Sequence, residues 1–142
     1  MSKYIDANQE AGKRFYQNFY DKGKVVMLNL LRFRKIADYT SLERIKPIDE
    51  ISGEEAYQLY LTGILPALEK AGSQIIYYGK SKNFLIGPDL EVWDAVLLME
   101  HVSVSKFMEF AQQEEYLKFA GHRTAALEDS RLLPSHGIKN YT

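Results

Sequence analysis

The sequence contains no cysteine in its 142 residues, which excludes a disulfide framework, thiolate zinc sites and a cysteine nucleophile. An excess of basic charge is missing as well, because 18 lysines and arginines stand against 19 aspartates and glutamates, for a net charge of −1. Surfaces that bind nucleic acids or anionic membranes normally carry a basic stripe. The charge balance therefore predicts neither a nucleic-acid partner nor a membrane partner.

Long apolar segments are also absent. No stretch approaches the ~20 apolar residues that span a bilayer, and the N-terminal segment lacks the apolar run of a secretory signal. We therefore expect a cytoplasmic location. With 46% hydrophobic and 26% charged residues, the composition is that of an ordinary globular chain, and the length predicts a single domain over residues 1–142.

The common cofactor and catalytic motifs are missing too. The sequence has no G-x-G-x-x-G, no P-loop, no H-E-x-x-H and no G-x-S-x-G elbow. Its three histidines are dispersed, without the spacing of a metal site. The sequence therefore predicts neither a bound cofactor nor a metal ion.

The most informative segment that is present spans residues 25–34 and reads V-V-M-L-N-L-L-R-F-R. Its nearly continuous apolar character predicts a strand that is covered on both faces. Because side chains alternate along a strand, one face is purely apolar and is predicted to pack under helices, while the other has Asn29 at its centre. The first face comprises Val26, Leu28 and Leu30; the second comprises Val25, Met27, Asn29, Leu31 and Phe33.

The remaining pattern predicts helices and strands in an informative order. Predicted helices cover residues 8–22, 52–72, 104–113 and 116–127. Predicted strands cover residues 24–34, 73–80, 92–101 and 131–134. The second strand is predicted to kink at Gly79 and to continue at residues 83–86. After the N-terminal helix the order is βαββαβ, which predicts the α+β class and a ferredoxin-like antiparallel sheet with its helices on one face. We divide the chain into a helical extension (1–23), a ferredoxin-like core (24–134) and a tail (135–142).

Two further features bear on partners. Residues 35–51 are polar and aperiodic and predict an excursion loop, a type of segment that often serves as a lid, a partner contact or a mobile element. The sheet face turned away from the helices is predicted to be apolar, and a large apolar face rarely stays in water. We therefore expect a homodimer in which two sheets close face to face.

Four segments also carry a family resemblance. They read V-V-M-L-N-L-L-R-F-R, A-L-E-K-A-G, W-D-A-V-L-L-M-E and H-R-T-A-A-L-E-D-S-R-L-L-P, and they span roughly residues 24–134 in this order. In this respect the chain resembles domain-of-unknown-function family 1330, which implies the fold of the dimeric α/β barrel superfamily and a homodimer. That superfamily includes cofactor-independent monooxygenases, haem-degrading enzymes, ligand-binding transcriptional domains and stress-response proteins, so the resemblance does not specify a reaction.

Asn29 and Arg123 are the first candidates for a ligand pocket. A buried amide needs hydrogen-bond partners, so Asn29 is predicted either to bind a carbonyl or phenolic oxygen between the sheet and its dimer mate, or to be bonded across the sheet. Arg123 falls on the apolar stripe of the last predicted helix and belongs to the segment that resembles the family. A buried guanidinium needs an acidic partner, for which the sequence offers Glu128, Asp129 or Glu100.

Arg32, Trp93 and His101 complete the candidate set. Arg32 has the parity of the predicted helix-facing side and could neutralise a carboxylate substrate. Trp93, the only tryptophan, is predicted to line a pocket mouth or to anchor a core or an interface. His101 is either a general acid or base or a surface residue at a strand end. Haem-degrading relatives use an Asn, a Trp and a His, but a strand would separate Trp93 and His101 by roughly 26 Å, too far to share a ligand.

These observations lead to two functional hypotheses. The first is a cofactor-independent enzyme of the monooxygenase type that acts on a small aromatic or apolar carbonyl compound, with a dry pocket and a few oriented hydrogen-bond donors. The alternative is a homodimer that binds similar small ligands without catalysis. A purely structural dimer module is the third possibility, and it predicts no enclosed cavity.

Overall fold

The computed structural model describes residues 2–141. Its elements are α1 (Gln9–Phe19), β1 (Val25–Phe33), α2 (Gly53–Lys70), β2 (Gln74–Lys80), β3 (Ala95–His101), α3 (Val104–Gln112), α4 (Glu114–Ala126) and β4 (Leu127–Ser135). The strands form one antiparallel sheet in the order β2-β3-β1-β4. The predicted α+β, ferredoxin-like fold is therefore confirmed, with α1 as an additional helix before the core. Within residues 2–141, no helix is both long and apolar enough to cross a bilayer.

Local sequence signals determine where the helices begin and end. The Ser52 hydroxyl accepts a hydrogen bond from the Glu55 amide, and the Glu55 carboxylate accepts one from the Ser52 amide, so the predicted capping box starts α2. Ser103 caps α3 in the same way, through the amide of Lys106. Gly72 follows α2 with a φ of +75°, a conformation that favours glycine.

The helices cover the face of β1 that contains Asn29. In β1 the buried side chains alternate with half-buried ones, and the buried set is Val25, Met27, Asn29 and Leu31. Met27 and Leu31 share one core cluster with residues of α2. The face assignment made from the sequence is therefore wrong: Val26, Leu28 and Leu30 lie on the open face, and Arg32 continues that face. Alternation separates the two sets of side chains, but both sets are apolar enough to lie beneath helices.

Several strand boundaries differ from the predicted ones. β2 ends at Lys80, and of residues 83–86 only Asn83 makes a bridge, to Val92. The irregularity in β2 falls between Ile75 and Tyr77 rather than at Gly79. β3 begins three residues later than predicted, at Ala95, and β4 begins four residues earlier, at Leu127.

The 35–51 loop is packed against the core. The Ala37 amide donates to the carbonyl of Ile51 (2.9 Å), which closes the loop, and the Asp38 amide donates to the carbonyl of Ala125 (2.9 Å). Tyr39 is buried, while Leu42 and Ile45 are partly buried against the core cluster. The loop is therefore an ordered cover over the start of β4 and the end of α4.

Candidate functional site

A cluster of tyrosines joins α2 to β2 and α4. We call Tyr57, Tyr60, Tyr78 and Tyr116 the tyrosine cluster. The ring centroids of Tyr57 and Tyr60 are 5.2 Å apart, those of Tyr57 and Tyr78 are 6.1 Å apart, and the Tyr60 hydroxyl donates to that of Tyr116 (3.2 Å). The cluster combines apolar ring faces with hydroxyl groups, as a pocket for an aromatic ligand would require.

Three hydroxyl groups of this cluster, those of Tyr57, Tyr60 and Tyr78, stay protonated at neutral pH. Burial raises the pKa of Tyr57 and raises that of Tyr60 well above its ordinary value. Burial, with a smaller effect from the Glu54 carboxylate, raises the pKa of Tyr78 to about 12. These three tyrosines are therefore hydrogen-bond donors rather than bases.

Arg123 of α4 lies beside this cluster. The charge of its guanidinium opposes the effect of burial on the pKa of Tyr57. The Arg123 side chain is only 15% exposed, and its described carboxylate partner is Asp6 at 3.5 Å, whose own side chain is 75% exposed. The structure thus brings a nearly buried cation next to a buried phenol, with a long ion pair to an exposed acid.

The acidic partners predicted for Arg123 are wrong, because each carboxylate pairs with another cation. Those pairs are Glu128 with Lys3 and Arg34, Asp129 with Arg131, and Glu100 with Lys24. Asp6 is 117 positions away in sequence, in an N-terminal segment without regular structure, so the helical pattern around Arg123 carried no signal for it.

Asn29 lies on the helix side of the sheet and is almost fully buried. Its Nδ2 donates to the carbonyl of Met27 (3.2 Å) and to that of Leu97 on β3 (3.4 Å). The predicted bond across the sheet is therefore present, although it is long. Both contacts use the nitrogen of the amide, and neither engages its oxygen. The predicted orientation toward a dimer mate is wrong, because Asn29 belongs to the covered face.

Arg32 and Trp93 lie together on the other side of the sheet. The Arg32 guanidinium donates to the carbonyl of Val92 through Nε (2.9 Å) and Nη2 (2.6 Å), and it lies over the Trp93 ring at 5.1 Å. Arg131 of β4 lies over the same ring at 5.0 Å. The indole is buried and both guanidiniums lie over its ring, so Trp93 has the buried position expected of an anchor.

His101 is fully buried and neutral at physiological pH. Its Nδ1 shares a hydrogen bond with the Ser73 hydroxyl (2.7 Å), and its ring packs against Phe107 and Phe110 with centroid distances of 4.8 and 5.8 Å. Burial lowers the pKa of His101 to about 4. A surface position at the strand end, one of its two predicted settings, is therefore wrong.

A histidine that the sequence analysis did not single out forms a second polar pair. The Tyr39 hydroxyl shares a hydrogen bond with Nδ1 of His122 (2.7 Å), and the two rings meet edge to face. Burial lowers the pKa of His122 and raises that of Tyr39. The position of His122 next to Arg123 in the last predicted helix was its one sequence signal.

Two cavities border the 35–51 loop. The larger, about 500 Å³, is lined by residues from Ile36 to Ile51, including the carboxylates of Asp38, Glu43, Asp49 and Glu50. The smaller, about 240 Å³, lies between residues 41–45 and α4. Neither is lined by Asn29 or Arg123. The acidic lining of the larger cavity also does not suit a carboxylate substrate of the kind that Arg32 could neutralise.

The five predicted site residues do not converge on one ligand within a single chain. Asn29, His101 and Arg123 lie on the helix side of the sheet, whereas Arg32 and Trp93 lie on the open side. Among residues 2–141, no group of three or more His, Cys, Asp or Glu side chains is arranged to hold a metal ion. Of the five, Arg123 combines partial access to solvent with hydroxyl and aromatic neighbours.

Comparisons with known proteins identify similar solved structures. RPA0582, a protein of unknown function from Rhodopseudomonas palustris, is 35% identical over 97% of this chain and 99% of its own, with a TM-score of 0.84. Its methylated form is 34% identical over 100% of both chains, with a TM-score of 0.85. The hydroxynitrile lyase from Passiflora edulis is 15% identical over 85% of this chain and 99% of its own, with a TM-score of 0.50, a likeness of fold alone.

Comparisons with family models and with curated proteins give no match. The resemblance to domain-of-unknown-function family 1330 therefore stays a prediction.

Proposed function

The chain belongs to the same family as RPA0582 of Rhodopseudomonas palustris, and we propose that it is a homodimer that binds a small aromatic or apolar carbonyl compound and oxidises it without a cofactor. We further propose that this family is domain-of-unknown-function family 1330, within the dimeric α/β barrel superfamily. The resemblance of four ordered segments over residues 24–134 supports that assignment.

The observation that carries the proposal is the position of Arg123 beside the tyrosine cluster. A nearly buried guanidinium favours an anionic oxygen, such as that of an enolate or a phenolate. Its pair with Asp6 is long and the Asp6 side chain is exposed, so a ligand oxygen can replace that carboxylate. The protonated hydroxyl of Tyr57 would donate to the same oxygen, and the surrounding rings would pack on the apolar part of the ligand.

The proposed reaction needs little from the protein beyond binding. An enolate or phenolate is electron-rich enough to react with molecular oxygen, so Arg123 contributes by favouring the deprotonated ligand. In the overall change, the ligand loses two hydrogens, either both from one carbon or one from that carbon and one from a hydroxyl group. That carbon gains one oxygen atom as a carbonyl. The second oxygen atom leaves with those hydrogens as water.

A non-catalytic binder of the same ligands is the second candidate. Tyr57 and Tyr60 stay protonated, and burial keeps His101 neutral inside the core, so the site offers donors without an evident base. Such a set suits recognition of an oxygen as well as it suits chemistry. Turnover is the property that separates the two candidates.

The open sheet face supports the homodimer. Its half-buried aliphatic side chains are Val26, Leu28, Leu30, Val96 and Leu98. Leu133 of β4 stands opposite Leu28 and is largely exposed. An apolar face of this kind is typical of a surface that another chain covers, and a second copy gives a closed, symmetric solution.

The experiment uses 1-naphthol as a probe, because it is an aromatic compound with an acidic hydroxyl. We expect the wild-type protein to bind it, with dissolved oxygen consumed in equal amounts to the quinone formed. Arg123→Gln should weaken binding at least tenfold, because the oxygen loses its cationic partner. Arg14→Gln, which removes an exposed arginine of α1, is the matched control and should change neither measurement.

The outcomes separate the candidates. Binding that depends on Arg123 without oxygen uptake would favour the non-catalytic binder. Equal binding by Arg123→Gln and the wild type would contradict the proposed site. Light scattering of the same samples reports the dimer independently.

A further inference from the structure

The connection between β2 and β3 carries three fully solvated aliphatic side chains. We call residues 82–92 the arm. Leu85 is 99% exposed, Ile86 is 92% exposed and Leu90 is 91% exposed. Exposed apolar side chains scattered singly are ordinary, but three at the tip of one projecting segment form a patch that favours a partner.

The base of the arm is held firmly, so the tip is presented in a defined place. The Ser81 amide donates to the carbonyl of Asp94 (2.9 Å), and the Trp93 amide donates to the carbonyl of Lys82 (3.2 Å). The Asp94 amide in turn donates to the carbonyl of Leu31 on β1 (2.8 Å). These bonds continue the hairpin beyond the sheet and orient an apolar tip at little cost in conformational entropy.

The arm leaves the sheet beside the open face. The Val92 carbonyl accepts two hydrogen bonds from Arg32, and the guanidiniums of Arg32 and Arg131 both lie over the Trp93 ring. Arg131 stands opposite Leu30, in the alternating set of the open face. The base of the arm therefore adjoins the surface that the proposed homodimer would cover.

The size of the open face gives a reason for a second contact. Four strands of seven to nine residues have a footprint of roughly 450–550 Å² at the usual strand and residue spacings. Stable protein interfaces bury about 800 Å² on each partner. The flat footprint of the sheet is smaller than this figure, and the arm adds three strongly exposed aliphatic side chains at the end of the sheet.

We propose that the arm of each copy packs on the second copy and anchors the sheet-to-sheet dimer through Leu85, Ile86 and Leu90. This inference rests on the proposed homodimer. The charges along the arm argue for a protein partner rather than a lipid surface. Lys82 stands on one limb, with Lys80 just before it at the end of β2, and Asp89 and Glu91 stand on the other, whereas membrane-binding segments normally carry a basic excess.

The test compares two variants by sedimentation at several protein concentrations. The first carries Leu85→Ser, Ile86→Ser and Leu90→Ser; the second carries Ile48→Ser, which alters a fully exposed aliphatic residue in the 35–51 loop. We expect the arm variant to dimerise at least tenfold more weakly and Ile48→Ser to match the wild type. Because all four side chains are exposed, both variants should keep the wild-type circular dichroism and thermal transition.

Crosslinking gives a second readout. Since the chain has no cysteine, Leu85→Cys provides a single attachment point for a maleimide–benzophenone probe. We expect irradiation to yield a covalent dimer joined from the arm of one copy to the second copy, and no such product at Ile48→Cys.

The results distinguish failure of the arm from failure of the dimer. A wild-type protein that stays monomeric at every concentration would overturn both proposals. A wild-type dimer with an arm variant of equal affinity would overturn the arm alone. Pelleting of the wild type, but not of the arm variant, with vesicles of phosphatidylcholine and phosphatidylglycerol would assign the tip to lipid and overturn the proposed contact.

Discussion

The hydroxyl of Tyr39 and Nδ1 of His122 share a hydrogen bond of 2.7 Å, and this bond joins the 35–51 loop to α4. Burial raises the pKa of Tyr39 and lowers the pKa of His122. Because His122 is therefore neutral near pH 7, it pairs with a neutral phenol without a charge. The loop is fixed to the helix that also carries Arg123. Loss of the bond between Tyr39 and His122 should therefore also affect the position of Arg123 in the proposed site.

Removing this bond should loosen the loop without unfolding the protein. We expect Tyr39→Phe to lower the free energy of unfolding by about 1–3 kcal/mol, because the His122 nitrogen is left without its partner in a partly buried place. Urea denaturation measures the change, and hydrogen exchange should locate it in residues 35–51. Tyr20→Phe, at an exposed ring beyond α1, is the control. Equal stability of the two variants would contradict a structural role for the bond.

His101 should make folding sensitive to mild acid. Burial lowers its pKa to about 4 in the folded protein, whereas an unfolded histidine titrates near 6.5. Below pH 6.5 the unfolded chain binds a proton that the folded chain excludes, so the free energy of unfolding falls as the pH drops from 6.5 toward 4. The full shift corresponds to roughly 3 kcal/mol, and stability above pH 6.5 should not depend on this residue.

Urea denaturation at pH 7.5, 6.0 and 5.0 checks this dependence. His101→Asn keeps a polar partner for Ser73 but cannot titrate, so its loss of stability between pH 7.5 and 5.0 should be smaller than that of the wild type. His122 contributes in the same direction, because burial lowers its pKa as well, and it remains in both proteins. Parallel curves for the two proteins would show that His101 is not the titrating group.

The close approach of backbones at the start of α2 should make Gly53 intolerant of a side chain. A Cβ at this position would lie 2.3 Å from the carbonyl oxygen of Arg34 and 2.6 Å from that of Ala126. The Gly53 amide also donates to the Arg34 carbonyl (2.9 Å), so neither backbone can move freely. We expect Gly53→Ala to lower the midpoint of thermal unfolding, at a cost of about 1–3 kcal/mol.

Gly12 in α1 provides the matched control, because its Cβ would meet no atom within 4 Å. Gly12→Ala should raise stability by about 0.5–1 kcal/mol, since alanine has the higher helix propensity. An unchanged midpoint in Gly53→Ala would mean that the junction of β1, α2 and α4 adjusts more easily than its geometry indicates.

Features that depend on neighbouring residues were predictable from the sequence. The capping box of Ser52 and Glu55 lies within four residues, and the apolar run of β1 identifies its own strand, so the order of elements and the ferredoxin-like fold followed. The face of β1 that the helices cover was not predictable in the same way. Both alternating sets are apolar, and the polar Asn29 is tolerated on the covered side because its Nδ2 reaches two backbone carbonyls.

Features that depend on distant residues were not predictable. The ion pair of Arg123 with Asp6 joins residues 117 positions apart, and a search among nearby acids could not reach it. Arg32 was predicted to face the helices, and its actual position on the open face follows from the same reversal that affects Asn29. Trp93 lies outside β3, so the predicted strand over residues 92–101 did not indicate on which side of the sheet its ring lies.

A substitution at Asn29 distinguishes a structural role of its amide from a role in ligand binding. Its two described bonds are 3.2 and 3.4 Å long, so they contribute little, and leucine has nearly the same shape. We expect Asn29→Leu to change the free energy of unfolding by less than about 1 kcal/mol, because an apolar side chain suits the covered face. If the free oxygen of the amide helps to bind the ligand hydroxyl, the same variant should weaken 1-naphthol binding severalfold while the dimer persists. Leu31→Ile, one alternate position along β1, controls for repacking of the core. A large loss of stability with unchanged binding would instead make Asn29 a structural residue.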